Sequence, residues 1–267
     1  MSRNKRMDAL GDRLKTYERI ETDQKFPPNT CLYVRLDGRS FSKFTKGLAR
    51  PYDERMSNLM KEVTASLVKE FNATIGYTQS DEISLIINNQ YDSPCIFEGK
   101  KQKLISTLSA HATAVFNAKL ATAIPEKDPL VTGKFPTFDC RIFPVYSSDE
   151  AANAVLWREQ DAIKNSVSMA AYHHFSHKQL HKVNTSVMKD MLKTQANVIW
   201  DDYPKFFKSG SYFQRIPVVK FVEDSDQVVI RHKIKEVDNL VLTDLSHEDR
   251  VRYVMNTPMC ISGSNTI

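Results

Sequence analysis

The stretch Thr30-Cys-Leu-Tyr-Val-Arg-Leu-Asp-Gly38 decides the fold. It is rich in β-branched and aromatic residues, follows the turn signal Pro27-Pro28-Asn29 and stops at Asp37-Gly38, so it reads as a strand. Working outward, Asp53 reads as a helix N-cap. Apolar residues then recur three and four apart at Met56, Leu59, Met60, Val63, Leu67, Val68 and Phe71, which predicts a long amphipathic helix. Residues 73–78 and 83–88 are two short apolar runs on either side of Gln79-Ser-Asp-Glu82, a hairpin with acidic residues at its turn. The helical period returns at Leu104, Ile105, Leu108, Ala112, Val115, Phe116 and Leu120, and residues 138–145 alternate again as a strand. The order is βαββαβ, which predicts an α+β, ferredoxin-like antiparallel sheet with helices. In that topology the third strand lies between the first and second and runs antiparallel to both. The end of the first strand therefore sits beside the start of the third, and Asp37 is expected to meet Asp81, with Glu82 nearby.

Downstream, residues 149–164, 167–175 and 177–192 carry helical apolar spacing. Residues 215–222 and 228–234 flank Glu223-Asp-Ser-Asp-Gln227 as a late β-hairpin, and the last stretch, 256–267, is polar and expected to be poorly ordered. This predicts a sheet-bearing region over 1–146 and a helical region with a C-terminal hairpin over 147–267. A hydrophobic share of 41% with 26% charged residues suffices to bury a core and excludes a disordered or low-complexity chain. Apolar runs such as 83–87 are strand-sized, so no membrane span is expected. The N-terminus is charged and lacks a secretory apolar region, which points to the cytoplasm.

Cys31, Cys95, Cys140 and Cys260 match neither a disulfide framework nor a zinc pair and read as reduced, structural residues. The net charge of +5 permits a polyanionic partner without demanding one. Its local clusters, Arg3/Lys5/Arg6, Lys100/Lys101/Lys103, Lys205/Lys208 and Arg231/His232/Lys233/Lys235, each also read as a solvated face. His173, His177 and His181 recur every four residues, as on one helix face, but without a zinc motif around them. Trp157 and Trp200 read as packing residues rather than base-stacking platforms.

Two carboxylates converging from adjacent strand ends suit Mg²⁺, which takes oxygen ligands and is held by one or two carboxylates plus phosphates. Such a site serves in-line nucleotidyl transfer. The same residues equally read as turn caps, Asp37 with Gly38 and Asp81 in the hairpin. Neither G-x-x-x-x-G-K-[ST] nor G-x-G-x-x-G occurs, so a P-loop or Rossmann nucleotide site is not supported.

Five motifs carry more than pattern. Val34-Arg-Leu-Asp-Gly-Arg-Ser-Phe41, Ala49-Arg-Pro-Tyr-Asp53, Tyr77-Thr-Gln-Ser-Asp-Glu82, Phe138-Asp-Cys-Arg141 and Trp157-Arg-Glu-Gln-Asp161 resemble, in the same order, those of the tRNA-histidine guanylyltransferase family. The resemblance runs from about residue 30 to about residue 195. It implies a palm-like catalytic domain over 1–146, a helical tRNA-contacting region over 147–267, and a nucleotidyltransferase that extends the 5′ end of tRNA in the 3′-to-5′ direction.

By carry-over, Asp37 and Asp81 with the Gly38 carbonyl would hold two Mg²⁺ ions, and Glu82 would complete the catalytic acids. Ser80, Asp81, Arg50 and the segment Asp37, Gly38, Arg39, Ser40, Phe41 and Ser42 would bind GTP or another NTP, with ATP activating the tRNA 5′ end. Lys164, Asn165, Ser166, Lys178 and Lys182 would contact tRNA, and the family implies a homotetramer. Arg50 stands where the family has a phosphate-contacting lysine. The members dedicated to tRNA-histidine read His-Ile-Asn-Asn where this chain has Ile163-Lys-Asn-Ser166, and carry His where it has Ser42. Both departures resemble the guanylyltransferase-like branch, which adds nucleotides by template pairing. The alternatives are a strict tRNA-histidine guanylyltransferase and a non-catalytic tRNA-binding palm. Three clustered acids facing a polyanion argue against the latter.

Overall fold

The computed structural model of the chain describes residues 9–88, 95–221 and 228–256. The Arg3/Lys5/Arg6 cluster, the hairpin turn at Glu223 to Gln227, Cys260 and the polar stretch from residue 257 lie outside the described residues. In chain order the elements are α1 (Ala9–Thr22), β1 (Cys31–Gly38), α2 (Phe41–Phe44), α3 (Glu54–Glu70), β2 (Ile75–Gln79), β3 (Glu82–Asn88), α4 (Lys101–Ala123) and α5 (Pro129–Thr132). They continue with β4 (Phe138–Val145), α6 (Ser148–His174), α7 (His177–Leu180), α8 (Thr185–Gln195), α9 (Lys205–Lys208), β5 (Ser211–Phe221), β6 (Val228–Glu236) and α10 (His247–Met255).

The strands form one sheet in the order β4-β1-β3-β2-β5-β6, every pairing antiparallel. The first four give the expected ferredoxin-like arrangement, with β3 between β1 and β2. The late hairpin is not set apart from it, because β5 pairs with β2 from Ile75↔Gln214 to Thr78↔Ser211 and extends the same sheet.

Period-two alternation sorts the side chains of the central strands between two cores. Leu32, Val34 and Leu36 of β1 and Ile83, Leu85 and Ile87 of β3 face α3 and α4, meeting Leu59, Met60, Val63, Leu108 and Phe116. Cys31, Tyr33, Tyr77 and Ile86 face the opposite way, onto Ala151, Ala152, Val155 and Ala162 of α6 and Leu242 and Val254. Each fully buried aliphatic or aromatic side chain contributes about 1.5–3 kcal/mol relative to its exposed state. The small residues on the inner face of α6 let a helix of 27 residues lie close along the sheet. Its far half, with Val167, Ala170 and Ala171, packs on Leu180, Met188, Leu192 and Phe207 in a third cluster.

Two expectations change. Residues 149–164 and 167–175 form one continuous helix, because the Ser166 hydroxyl donates to the carbonyls of Ile163 (2.8 Å) and Lys208 (3.1 Å) and does not break the turn. Residues 177–192 are not one helix. Ser176 closes a capping box on α7, and Asn184 starts α8 by accepting the Val187 N–H. The histidine row therefore has no common face: His173 lies in the last turn of α6, His177 lies in α7 and His181 caps its end. Helix α1 was not foreseen. Its Leu10, Leu14, Tyr17 and Ile20 are all more than half exposed. Among the described residues no helix is long and apolar enough to cross a membrane. Burial pushes the Cys140 thiol up to about 12 and raises that of Cys31, in keeping with structural thiols.

Candidate active site

Asp37 ends β1, and its Cα pairs with that of Glu82 across the β1–β3 ladder. Odd-numbered positions of β1 and even-numbered positions of β3 face α6, so Asp37 and Glu82 share that side. Ser80 and Asp81 are the two loop residues of the β2–β3 hairpin, since Gln79 still pairs with Glu82. Ser80 takes a left-handed φ of 55°, a conformation that costs a non-glycine residue free energy and clusters at functional sites. The turn is tied to β1 by the Gly38 N–H, which donates to the Asp81 carbonyl at 3.1 Å.

Gly38 is required there. A Cβ at this position would lie 2.4 Å from Cδ2 of Phe41. Phe41 is 2% exposed and packs against Phe44, Phe116 and Phe138, so the ring cannot give way. Its part is to hold the Asp37-Gly38 backbone, and its ring only floors the neighbouring cleft. Arg39 and Ser40 are exposed and line neither lobe of that cleft, although the Arg39 N–H anchors to the Thr137 carbonyl at 2.9 Å.

The cleft has two lobes divided by the Gln79 to Asp81 turn and Met169. The first, about 260 Å³, is lined by Ser42, Arg50, Tyr52, Asp53, Met56, Ser80, Asp81, Phe206 and Phe207 among others. The second, about 310 Å³, brings Asp37, Ser80, Asp81 and Glu82 against Arg158, Asn165, Ser168 and Tyr172 of α6. Asp81 faces both. Its carboxyl is raised above the ordinary carboxylate range, first by burial and then by the negative charge of Asp37, while the Ser80 hydroxyl at 3.2 Å opposes the rise.

A buried carboxyl that a second carboxylate pushes upward offers oxygen donors that a hard divalent cation relieves, so Asp81 with Asp37 beside it fits Mg²⁺. Glu82 does not complete that set as a free carboxylate. Its two oxygens accept Arg158 Nε (2.6 Å) and Nη2 (2.7 Å). Among the described residues no three His, Cys, Asp or Glu side chains converge as a metal-binding group.

Asp53 is also committed. It accepts the N–H groups of Ala49 and Arg55 and two donors of the Arg55 guanidinium. Of the expected tRNA contacts, Lys164, Asn165, Lys178 and Lys182 are exposed, whereas Ser166 is buried with its hydroxyl engaged inside the protein and is not free for a partner. The aromatic lining from Tyr52, Phe206 and Phe207 went unread in the sequence, where Lys205 to Lys208 registered only as a basic cluster. The Trp157-Arg158 motif was visible, but not its use: Arg158 holds Glu82, and Glu159, fully buried, accepts from Tyr212, Leu242 and Thr243 and fixes the segment before α10 to the sheet.

The β4-β1-β3-β2 sheet thus sets two acids at joined strand ends beside an aromatic-lined cleft, an arrangement that suits a nucleotidyltransferase. The family model described as Thg1, tRNAHis guanylyltransferase, matches residues 11–146. An uncharacterised protein of Acanthamoeba polyphaga mimivirus is 32% identical over 76% of this chain and 76% of its own length. The tRNA(His) guanylyltransferase of Neurospora crassa is 25% identical over 88% of this chain and 82% of its own. Among solved structures, a bacterial tRNA(His) guanylyltransferase (Thg1)-like protein in complex with ATP is 33% identical with a TM-score of 0.77, covering 92% of this chain and 99% of that one. A bacterial Thg1-like protein in complex with GTP follows at 30% identity and a TM-score of 0.73, with the same coverage. The chain belongs to the Thg1 tRNAHis guanylyltransferase family and is a nucleotidyltransferase.

Proposed function

We propose that this enzyme adds nucleotides to the 5′ end of tRNA in the 3′-to-5′ direction, choosing each by pairing with the opposite tRNA strand. The observation that carries this reading is the acid pair Asp37 and Asp81 in the second lobe, with Asp81 also facing the first. Asp37, Asp81 and the Gly38 carbonyl would hold two Mg²⁺ ions, which supply activation of an attacking oxygen and stabilisation of a leaving phosphate. The aromatic lobe seats the base and sugar of the NTP, and exposed Arg50 and Ser42 at its wall meet the triphosphate. The tRNA 5′-monophosphate is first adenylylated by ATP, releasing pyrophosphate. The 3′-hydroxyl of the incoming NTP then attacks the 5′ phosphorus and AMP leaves. Exposed Lys164, Lys178 and Lys182 on and beyond α6 attract the tRNA phosphates.

Template pairing is favoured over a guanine pocket for two reasons. Base discrimination by a protein requires buried polar groups left unpaired by the wrong base. In the first lobe Asp53 is already satisfied by Ala49 and Arg55, and the tRNA-histidine motif is replaced by Ile163-Lys-Asn-Ser166, whose Ser166 is turned inward. The experiment supplies 5′-truncated tRNAs carrying each of the four bases opposite the vacant position, with Mg²⁺, ATP and single NTPs. Incorporation is expected to follow the complement; guanine added against every template base would overturn the reading in favour of a strict tRNA-histidine guanylyltransferase.

A further inference from the structure

Arg158 reaches from α6 to the sheet beside the acid pair. Its Nε and Nη2 grip the two oxygens of Glu82 at 2.6 and 2.7 Å, the bidentate geometry for which a guanidinium is shaped. The same Nη2 donates to Asp161 at 3.1 Å, and the guanidinium carbon lies 4.6 Å from the centre of the Trp157 ring. The Arg158 and Glu82 side chains are only 13% and 20% exposed. Glu82 directly follows Asp81 and stands opposite Asp37 in the β1–β3 register. Without Arg158, three uncompensated carboxylates would share one pair of strand ends.

We infer that Arg158 is a positioning residue: it withdraws Glu82 from the acidic set, leaving Asp37 and Asp81 to face the cation, and it ties the hairpin that carries Asp81 to α6. The inference rests on the two-Mg²⁺ reading above. To ligate an ion, Glu82 would have to break two charge-assisted hydrogen bonds. Removing Arg158 alone leaves a half-buried charge unpaired beside two others and adds a third ligand to the site, whereas removing both partners restores a two-acid site. The pair is therefore strongly non-additive.

The test uses the full chain as wild type, Glu82→Ala, Arg158→Ala, Arg158→Lys and the Glu82→Ala/Arg158→Ala double variant. Mg²⁺ binding is read by calorimetry in the absence of nucleotide and tRNA, and the rate of nucleotide addition is read separately. Mg²⁺ affinity should stay within about 3-fold of wild type in Glu82→Ala and in the double variant, and tighten by about 10-fold or more in Arg158→Ala, where a desolvated negative charge is released into the site. The rate should fall by about 100-fold or more in Arg158→Ala and recover in the double variant to the milder level of Glu82→Ala, a rescue that follows from the coupling of neighbours. Arg158→Lys keeps the charge without the fork; it should fall between, and it stands in if Arg158→Ala does not fold. A loss of Mg²⁺ binding in Glu82→Ala as large as in Asp81→Ala would make Glu82 a ligand and overturn the inference, as would a double variant no better than Arg158→Ala. A wild type that binds Mg²⁺ in this pattern but adds no nucleotide would support the pairing and overturn the proposed function.

Discussion

At the scale of single residues, the Asp81 carboxyl, held above its ordinary range by burial and by Asp37, sits in a field that disfavours its own charge. A divalent cation removes that penalty, so Asp37→Ala or Asp81→Ala should each lower nucleotide addition by at least about 100-fold while the melting temperature stays near that of wild type. Near wild-type turnover in either folded variant would refute the assignment. Asp53 has the opposite balance. Its hydrogen bonds from Arg55 hold its carboxyl down at about 2, below the ordinary carboxylate range. A depressed folded value contributes stability that is present above about pH 4 and is lost as the pH falls through about 2. Asp53→Asn keeps a good helix cap but removes the charge. The stability gap between wild type and Asp53→Asn, followed by urea unfolding monitored by circular dichroism, should therefore be largest at neutral pH, narrow below about pH 4 and close near pH 2. A gap independent of pH would show that the ion pair contributes nothing. The meeting of Asp37 with Asp81 was legible in the sequence, since strand order and a period of two suffice to place both. The capture of Glu82 was not, because its partner arrives from α6, 76 residues away.

At the scale of elements, α3, β1 and the β2–β3 hairpin were readable because their apolar spacing and their capping or turn residues agree. Helix α6 was misread as two pieces. A Ser inside a helix carries an ambiguous local signal, and the outcome depended on a distant acceptor, the Lys208 carbonyl. The turn between α7 and α8 breaks the chain so that Lys178 and Lys182 lie exposed beyond the end of α6, while Lys164 is exposed on α6 itself. If these lysines meet tRNA phosphates, affinity falls with rising salt, and Lys178→Ala/Lys182→Ala should weaken binding and flatten the plot of log affinity against log salt by roughly one to two charges. Filter binding across a salt series measures this. An unchanged slope would place the tRNA elsewhere.

At the scale of the whole molecule, α1 exposes Leu10, Leu14, Tyr17 and Ile20, and Leu130, Val131 and Phe135 are exposed beyond the end of α4. Large apolar side chains left exposed on a helix face mark association. The homotetramer that the family resemblance implies would bury such surface. Light scattering should give about four times the chain mass of 30.6 kDa, and a Leu14→Glu/Tyr17→Glu variant should shift it downward. A monomeric wild type would refute the tetramer. What the sequence by itself determined was the α+β class, the βαββαβ order of β1, α3, β2, β3, α4 and β4, the acid pair and the family, because local periodicity, turn chemistry and contiguous motifs are written along the chain. Only the tertiary structure decided that the late hairpin joins the same sheet, that Tyr52, Phe206 and Phe207 close around one lobe, and that Glu82 belongs to Arg158. Each of these is a contact between segments far apart in sequence, and such contacts are chosen by which buried faces and charges find one another when the chain packs, not by the pattern of any one segment.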